Sequence, residues 1–92
     1  MTYEIRFNKQ INWIRFAKLP RSDRMRIREA INGKLTQHPE VFGKPLRQSL
    51  TGARSLRVGE YRVIYTIVGT MVEIILFGHR LTIYEDAKEI LG

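Results

Sequence analysis

Between Leu56 and Tyr84 the chain reads LRVGEYRVIYTIVGTMVEIILFGHRLTIY, and Arg57, Tyr61, Arg62, His79, Arg80 and Tyr84 all fall inside it. Guanidinium groups stabilise negative charge developing on a phosphate, and an imidazole or a phenol can move a proton. Those are the two kinds of group that attack on an RNA phosphodiester requires. Arg57 and Arg62 flank Gly59 and Glu60, so a hairpin turn at that dipeptide sends both to one side of adjacent strands. Two like charges so placed are unfavourable unless an anion lies between them, which points to a phosphate; the plainer alternative is a pair of solvated strand residues. His79 is suited to accepting a proton near neutral pH or, more simply, to a local hydrogen bond at a strand end. Tyr84 offers a phenol for stacking or proton transfer, against simple cover for the core edge.

The elements that must hold these groups follow from periodicity. Tyr3, Ile5 and Phe7 alternate with Glu4 and Arg6 as in a half-buried strand, which Asn8 ends while capping the next helix. Lys9 to Leu19 is too densely apolar for alternation and suits a short helix with Trp13 in the core; Pro20 stops it. From Ser22 to about Thr36, Ile27, Ile31 and Leu35 recur at steps of four, with Ser22 and Asp23 as the N-terminal signal. Arg24, Arg26, Arg28 and Lys34 lie outside that stripe, so this helix is amphipathic and basic. Its arginines are a solvated face or a contact for RNA or the ribosome.

His38, Pro39 and Gly43 to Pro45 mark a loop, with Val41, Phe42, Leu46 and Leu50 as anchors onto the core. The two-residue period then returns. Arg54, Leu56 and Val58 share one face and Ser55 and Arg57 the other, and Arg54 joins the candidate RNA contacts. Tyr61, Val63, Tyr65 and Ile67 form a core-facing row, Gly69 and Thr70 a second turn, and Met71 to Phe77 a central strand. Leu81 to Tyr84 reads as a short extended piece, and Glu85 to Leu91 as a final helix with Gly92 past its end. The order β-α-α-β-β-β-(α) is α+β: an antiparallel-dominated sheet with two N-terminal helices packed on one face, in a single domain spanning 1–92.

The net charge of +7, from 16 Lys and Arg against 9 Asp and Glu, favours a polyanion or an acidic protein as partner. With no Cys and two His, thiolate metal sites are excluded and zinc has no support. Neither a metal nor a cofactor is expected. Tyr61 to Phe77, broken by Arg62, Gly69 and Glu73, falls short of the roughly 20 apolar residues of a membrane span. Glu4 and Arg6 interrupt any leader-like start, and the absence of Cys fits a reducing cytoplasm as the expected location, with no membrane partner and no small-molecule ligand expected.

The segments PLRQSLTGARSLRVGEYRVIY and IILFGHRLTIY resemble the RelE/ParE superfamily of small bacterial and archaeal toxins, closely over the C-terminal half. The resemblance implies a toxin of a type II toxin–antitoxin pair, and in the RelE branch a metal-independent endoribonuclease that cuts messenger RNA on the ribosome. There the ribose 2′-OH attacks the adjacent phosphate, leaving a cyclic phosphate and a free 5′-OH. Arg62 in EYR and Arg80 in GHR match the phosphate-stabilising arginines, Tyr84 the C-terminal tyrosine, and Arg57 a basic residue of the preceding strand. Ser55 departs from the pattern, because the strong ribonucleases carry a second basic residue there. That leaves His79 or Tyr84 to handle the proton, since an arginine is too basic to do so. The implied partners are a cognate antitoxin, the ribosome and mRNA. The alternatives are a ParE-like inhibitor of DNA gyrase without nuclease activity, or a relic that acts only as an antitoxin-binding co-repressor.

Overall fold

The computed structural model describes residues 2–46 and 52–91. Along them run β1 (Glu4–Phe7), α1 (Trp13–Ala17), α2 (Arg21–Ala30) continued by a π-helical turn (Ile31–Leu35), α3 (Pro39–Phe42), β2 (Lys44–Pro45), β3 (Arg54–Val58), β4 (Tyr61–Val68), β5 (Met71–His79) and α4 (Ile83–Leu91). The strands form one sheet in the order β1-β5-β4-β3-β2. Its neighbours are antiparallel except β1, which lies parallel to β5 after a crossover through the helices. Gly59 at φ 59° and Gly69 at φ 62° take the left-handed conformation that lets the two hairpins turn tightly. The α+β architecture expected from the periodicity is the one observed.

Strand alternation gives the sheet two apolar faces. Leu56, Val58, Val63, Tyr65, Val72 and Ile74 pack beneath Ile27, Ile31 and Leu35 of α2 and its π turn. Ile64, Ile75 and Leu76 pack instead beneath Ile83 and Ala87 of α4. The two N-terminal helices therefore cover one face and the C-terminal helix the other. The pairings Ile64↔Leu76 and Tyr65↔Ile74 leave Ile75 as the extra residue of a β-bulge, so Ile75 and Leu76 both point toward α4.

Several local expectations need correcting. Asn8 makes an Asx turn, its Oδ1 accepting from Gln10 N at 2.8 Å, while α1 is capped by Asn12, which accepts from Arg15 N at 3.0 Å. Pro20, with no side-chain cap, precedes α2, so the Ser22 and Asp23 start signal lies inside the first turn. Trp13 is 47% exposed; it sits at the sheet edge in an aromatic cluster, edge-on to Phe7, Phe16 and Phe77. Val41 and Phe42 are exposed rather than core anchors, because the presumed loop forms α3 and buries Pro39 instead. Leu46 packs against the α4-side core, whereas Leu50 and Gly92 lie outside the described residues. Tyr84 belongs to the first turn of α4, not to an extended piece.

Tyr65 is fully buried and donates its hydroxyl to Pro39 O at 2.6 Å, which ties α3 to the sheet. A Cβ on Gly43 would land on that hydroxyl. Gly43→Ala should therefore cost about 1–3 kcal/mol through overpacking. Gly33 has open space around its would-be Cβ, and Gly33→Ala should stabilise by up to about 1 kcal/mol. Urea unfolding midpoints of the two variants should move in opposite directions from the parent.

Candidate functional site

Cross-strand register decides which charged groups meet. Arg57 on β3 pairs directly with Arg62 on β4, and both alternate with the core-facing residues of the α2 side. They therefore lie on the α4 face. Ser55 pairs with Ile64 on the same face, and its Oγ stands 3.3 Å from the Tyr84 hydroxyl brought over by α4. Arg57 is exposed. Arg62 is half-buried and folds back over the turn, its Nη1 donating to Gly59 O at 3.1 Å and Tyr61 O at 2.9 Å. Donation to two carbonyls eases the repulsion that directly opposed cations would otherwise feel.

Arg80 follows the end of β5. Its backbone N donates to Glu60 O at 2.8 Å, and its Nε donates to Glu60 Oε2 at 2.6 Å. The guanidinium is thus fixed at the β3–β4 turn, the turn on which Arg62 also folds. The hydrogen bond and charge of Arg80 hold the Glu60 carboxyl below the ordinary Glu range, with His79 and Arg57 adding smaller effects in the same sense. The pair is therefore complete at neutral pH and comes apart only as the pH falls through that lowered value.

His79 goes elsewhere. The bulge at Ile75 shifts the phase of β5, so Phe77 and His79 face the α2 side and Gly78 faces α4. His79 pairs with Tyr61, their rings edge-to-face at 5.7 Å, and its Nδ1 accepts from Leu81 N at 3.2 Å. The imidazole shapes the turn between β5 and α4, and it stands across the sheet from Arg57, Arg62 and Tyr84. Burial, and after it Asp23, pushes the Tyr61 phenol up; burial likewise raises Tyr65, against the pull of Arg54. Tyr65 is core, as expected, whereas Tyr61 is half-buried against the α2-side core.

Among the expected RNA contacts, Arg26 and Arg28 are exposed on α2, while Arg24 is half-buried with Nη1 donating to Ala17 O at 3.3 Å. Arg54 is a tether rather than a free cation. Its Nη2 donates to Glu40 O at 2.9 Å and to Gly43 O, on the α2 side of the sheet. Glu60 is the site group that residue types alone did not single out. The signal lay in the register, since pairing Tyr61 with His79 sets Glu60 against Arg80.

Clefts of about 400 Å³ open elsewhere among the described residues, one lined by Arg15, Tyr61, His79 and Asp86, another by Phe7, Trp13, Phe77 and Arg28. Neither is lined by Arg57, Arg62, Arg80 or Tyr84. Arg57 is exposed, and Arg80 and Tyr84 are about half exposed, so a polymer can reach these side chains from solvent. Among the described residues no group of three His, Cys, Asp or Glu could hold a metal ion, and no helix is long and apolar enough to cross a membrane.

Residues 6–84 match the family model for the ParE toxin of type II toxin–antitoxin systems. The chain belongs to that family, within the RelE/ParE superfamily of toxins. It is 41% identical to the toxin RelG of Mycobacterium tuberculosis over 69 residues, 73% of this chain and 79% of RelG. It is 49% identical to the toxin RelE of the same organism over 39 residues, an alignment spanning only 40% of that relative. Among solved structures it resembles a chain of the M. tuberculosis toxin–antitoxin complex RelBE2, with a TM-score of 0.75 and 35% identity, covering 87% of this chain and 93% of that one. A mutant of the Escherichia coli toxin RelE in the free state shares the fold, with a TM-score of 0.72 at 18% identity, covering 99% and 95% of the two chains.

Two outcomes follow from the geometry. His79→Phe keeps the ring edge against Tyr61 but removes the acceptor for Leu81 N, and should cost about 0.5–1.5 kcal/mol in urea unfolding. In an NMR titration the Glu60 carboxyl should protonate below the ordinary Glu value, and Arg80→Ala should move its midpoint upward.

Proposed function

We propose that this toxin is a metal-independent endoribonuclease that cuts mRNA on the ribosome and so halts translation. The observation that carries this reading is the pairing of Arg57 with Arg62 on the face where Tyr84 meets Ser55, with Arg80 fixed at the turn beside them. The ribose 2′-OH gives up its proton as its oxygen bonds to the adjacent phosphorus, the bond to the 5′-oxygen breaks, and the departing 5′-oxygen takes up a proton. The products are a 2′,3′-cyclic phosphate and a free 5′-OH. Arg62 and Arg80 neutralise the charge gathering on the non-bridging oxygens, where oriented donors have their largest effect. Arg57, exposed on the neighbouring strand, orients the leaving side.

Proton transfer falls to Tyr84. Its hydroxyl shares a hydrogen bond with Ser55 on the arginine face, while His79 lies across the sheet with Nδ1 engaged by Leu81 N. Ser55 thereby acquires a place in the scheme despite lacking the basic side chain of the strong ribonucleases. It holds the phenol toward the phosphate. The exposed Arg26 and Arg28 would meet ribosomal RNA phosphates as salt-sensitive positioning contacts. The partner in the resting cell would be an antitoxin, consistent with the related RelBE2 chain, which was solved in a toxin–antitoxin complex. A cytoplasmic location follows from those partners.

Two observations favour a second reading. The matching family model is that of the ParE toxin, and Ser55 replaces a basic residue, both of which suit an inhibitor of DNA gyrase that cleaves nothing.

The two are separated by running the purified protein in a reconstituted translation reaction and in a gyrase supercoiling assay. Message cleavage with gyrase untouched is expected, and the reverse pattern would replace the nuclease reading by the gyrase one. Arg80→Ala should abolish both cleavage and growth inhibition while remaining folded. Tyr84→Phe should lower kcat by about 100-fold or more, the range for loss of a proton-transfer group, whereas His79→Phe should stay within about threefold of the parent.

A further inference from the structure

We propose that Glu60 is a positioning residue for Arg80, deciding which edge of its guanidinium meets the scissile phosphate. The inference rests on the phosphodiester reading of the site and extends it to a residue outside the arginine set. Arg80 is held twice by the same turn residue, through its backbone N to Glu60 O at 2.8 Å and through Nε to Glu60 Oε2 at 2.6 Å. A guanidinium can grip an anion side-on, through Nε and one terminal nitrogen, or end-on through both terminal nitrogens. With Nε committed to the carboxylate, the side-on edge is closed. Nη1 and Nη2 have no hydrogen-bond partner among the described residues and remain the edge open to a phosphate.

The position of Glu60 makes this more than an ordinary surface ion pair. Both side chains are about half exposed or more, 49% for Arg80 and 64% for Glu60, so the contact adds little to stability. An exposed arginine has many rotamers, and a phosphate site needs one of them before substrate arrives. The carboxylate also carries a cost, because it sets a negative charge within the fields of Arg57 and Arg80, where an anion is to bind. Orientation and repulsion therefore act on different kinetic quantities. Orientation sets kcat, and the charge weakens binding and raises KM.

Two variants separate them. Glu60→Gln keeps an oxygen acceptor at the same reach without the charge, and Glu60→Ala removes both. In the translation reaction Glu60→Gln should hold kcat within about threefold of the parent with a lower KM, while Glu60→Ala should lose kcat by about tenfold or more. An alanine variant with the parent's kcat, or a faster one, would overturn the positioning role and leave Glu60 as a brake.

A second readout does not depend on cleavage. In NMR spectra of the full chain, the Arg80 Nε–H signal should be protected from exchange in the parent and in Glu60→Gln, and unprotected in Glu60→Ala. On adding a trinucleotide with 2′-O-methyl riboses, that signal should stay in place while the Nη signals move. A shift of Nε–H to its alanine-variant position would overturn the proposal, because the phosphate would then be taking the edge assigned to Glu60. Unmoved Nη signals would also overturn it, by removing Arg80 from the anion site. A parent protein that passes the NMR test but cuts no message would count against the ribosomal nuclease alone.

Discussion

The register between β4 and β5, with its single bulge at Ile75, is the constraint on which the arrangement of charged groups depends. Antiparallel pairing sets Tyr61 against His79, Arg62 against Gly78 and, one step further, Glu60 against Arg80. Strict alternation from Ile74 onward would have carried His79 to the face that holds Arg57 and Arg62. The extra residue reverses that phase. It turns the imidazole toward Tyr61 and the helical side, and leaves Gly78 beside Arg62 on the α4 face. Bulges re-aim side chains in this way at the cost of one unpaired residue, and here Ile75 is absorbed into the apolar contact with Ile83 and Ala87.

The same face carries an electrostatic tension. Arg57 and Arg62 are opposed across a strand pair in a chain of net charge +7. Arg62 relieves part of the repulsion through the carbonyls of Gly59 and Tyr61, and Glu60 counters Arg80. Arg57 remains exposed. A polyanion bound there would meet cations already gathered on one hairpin, and the ordering cost of bringing them together would be borne by folding rather than by binding. The rest of the fold serves as scaffold: α2 and its π turn brace one side of the sheet, and α4 brings Tyr84 to the other.

Much of this was legible in the residues, because it depends on periods and turns. The two hairpins at Gly59 and Gly69, the buried row Ile27, Ile31 and Leu35, and the burial of Tyr65 all follow from patterns confined to short windows. The placement of Arg57 beside Arg62 needed only the turn between them. What the sequence hid depends on tertiary pairing. A bulge inside the run of apolar residues from Ile74 to Phe77 leaves no mark, since every register of that run buries something. The inward pull of Arg54 toward Glu40 and Gly43 requires α3, which the breaker-rich segment concealed. Trp13 looked like core by type, yet α1 is short and lies at the sheet edge, so its ring caps an aromatic cluster in contact with solvent.

Chemistry at the cut ends of a message gives the most direct test of whether the arginine face handles a phosphodiester through the neighbouring ribose. The wild-type protein, given a programmed ribosome, should yield upstream fragments ending in a 2′,3′-cyclic phosphate and downstream fragments beginning with a 5′-OH. A 2′-O-methyl group at the cut position should block the reaction. Fragments ending in a 3′-OH with a 5′-phosphate partner, or cleavage that survives the methyl group, would contradict internal attack and with it the roles given to Arg62, Arg80 and Tyr84.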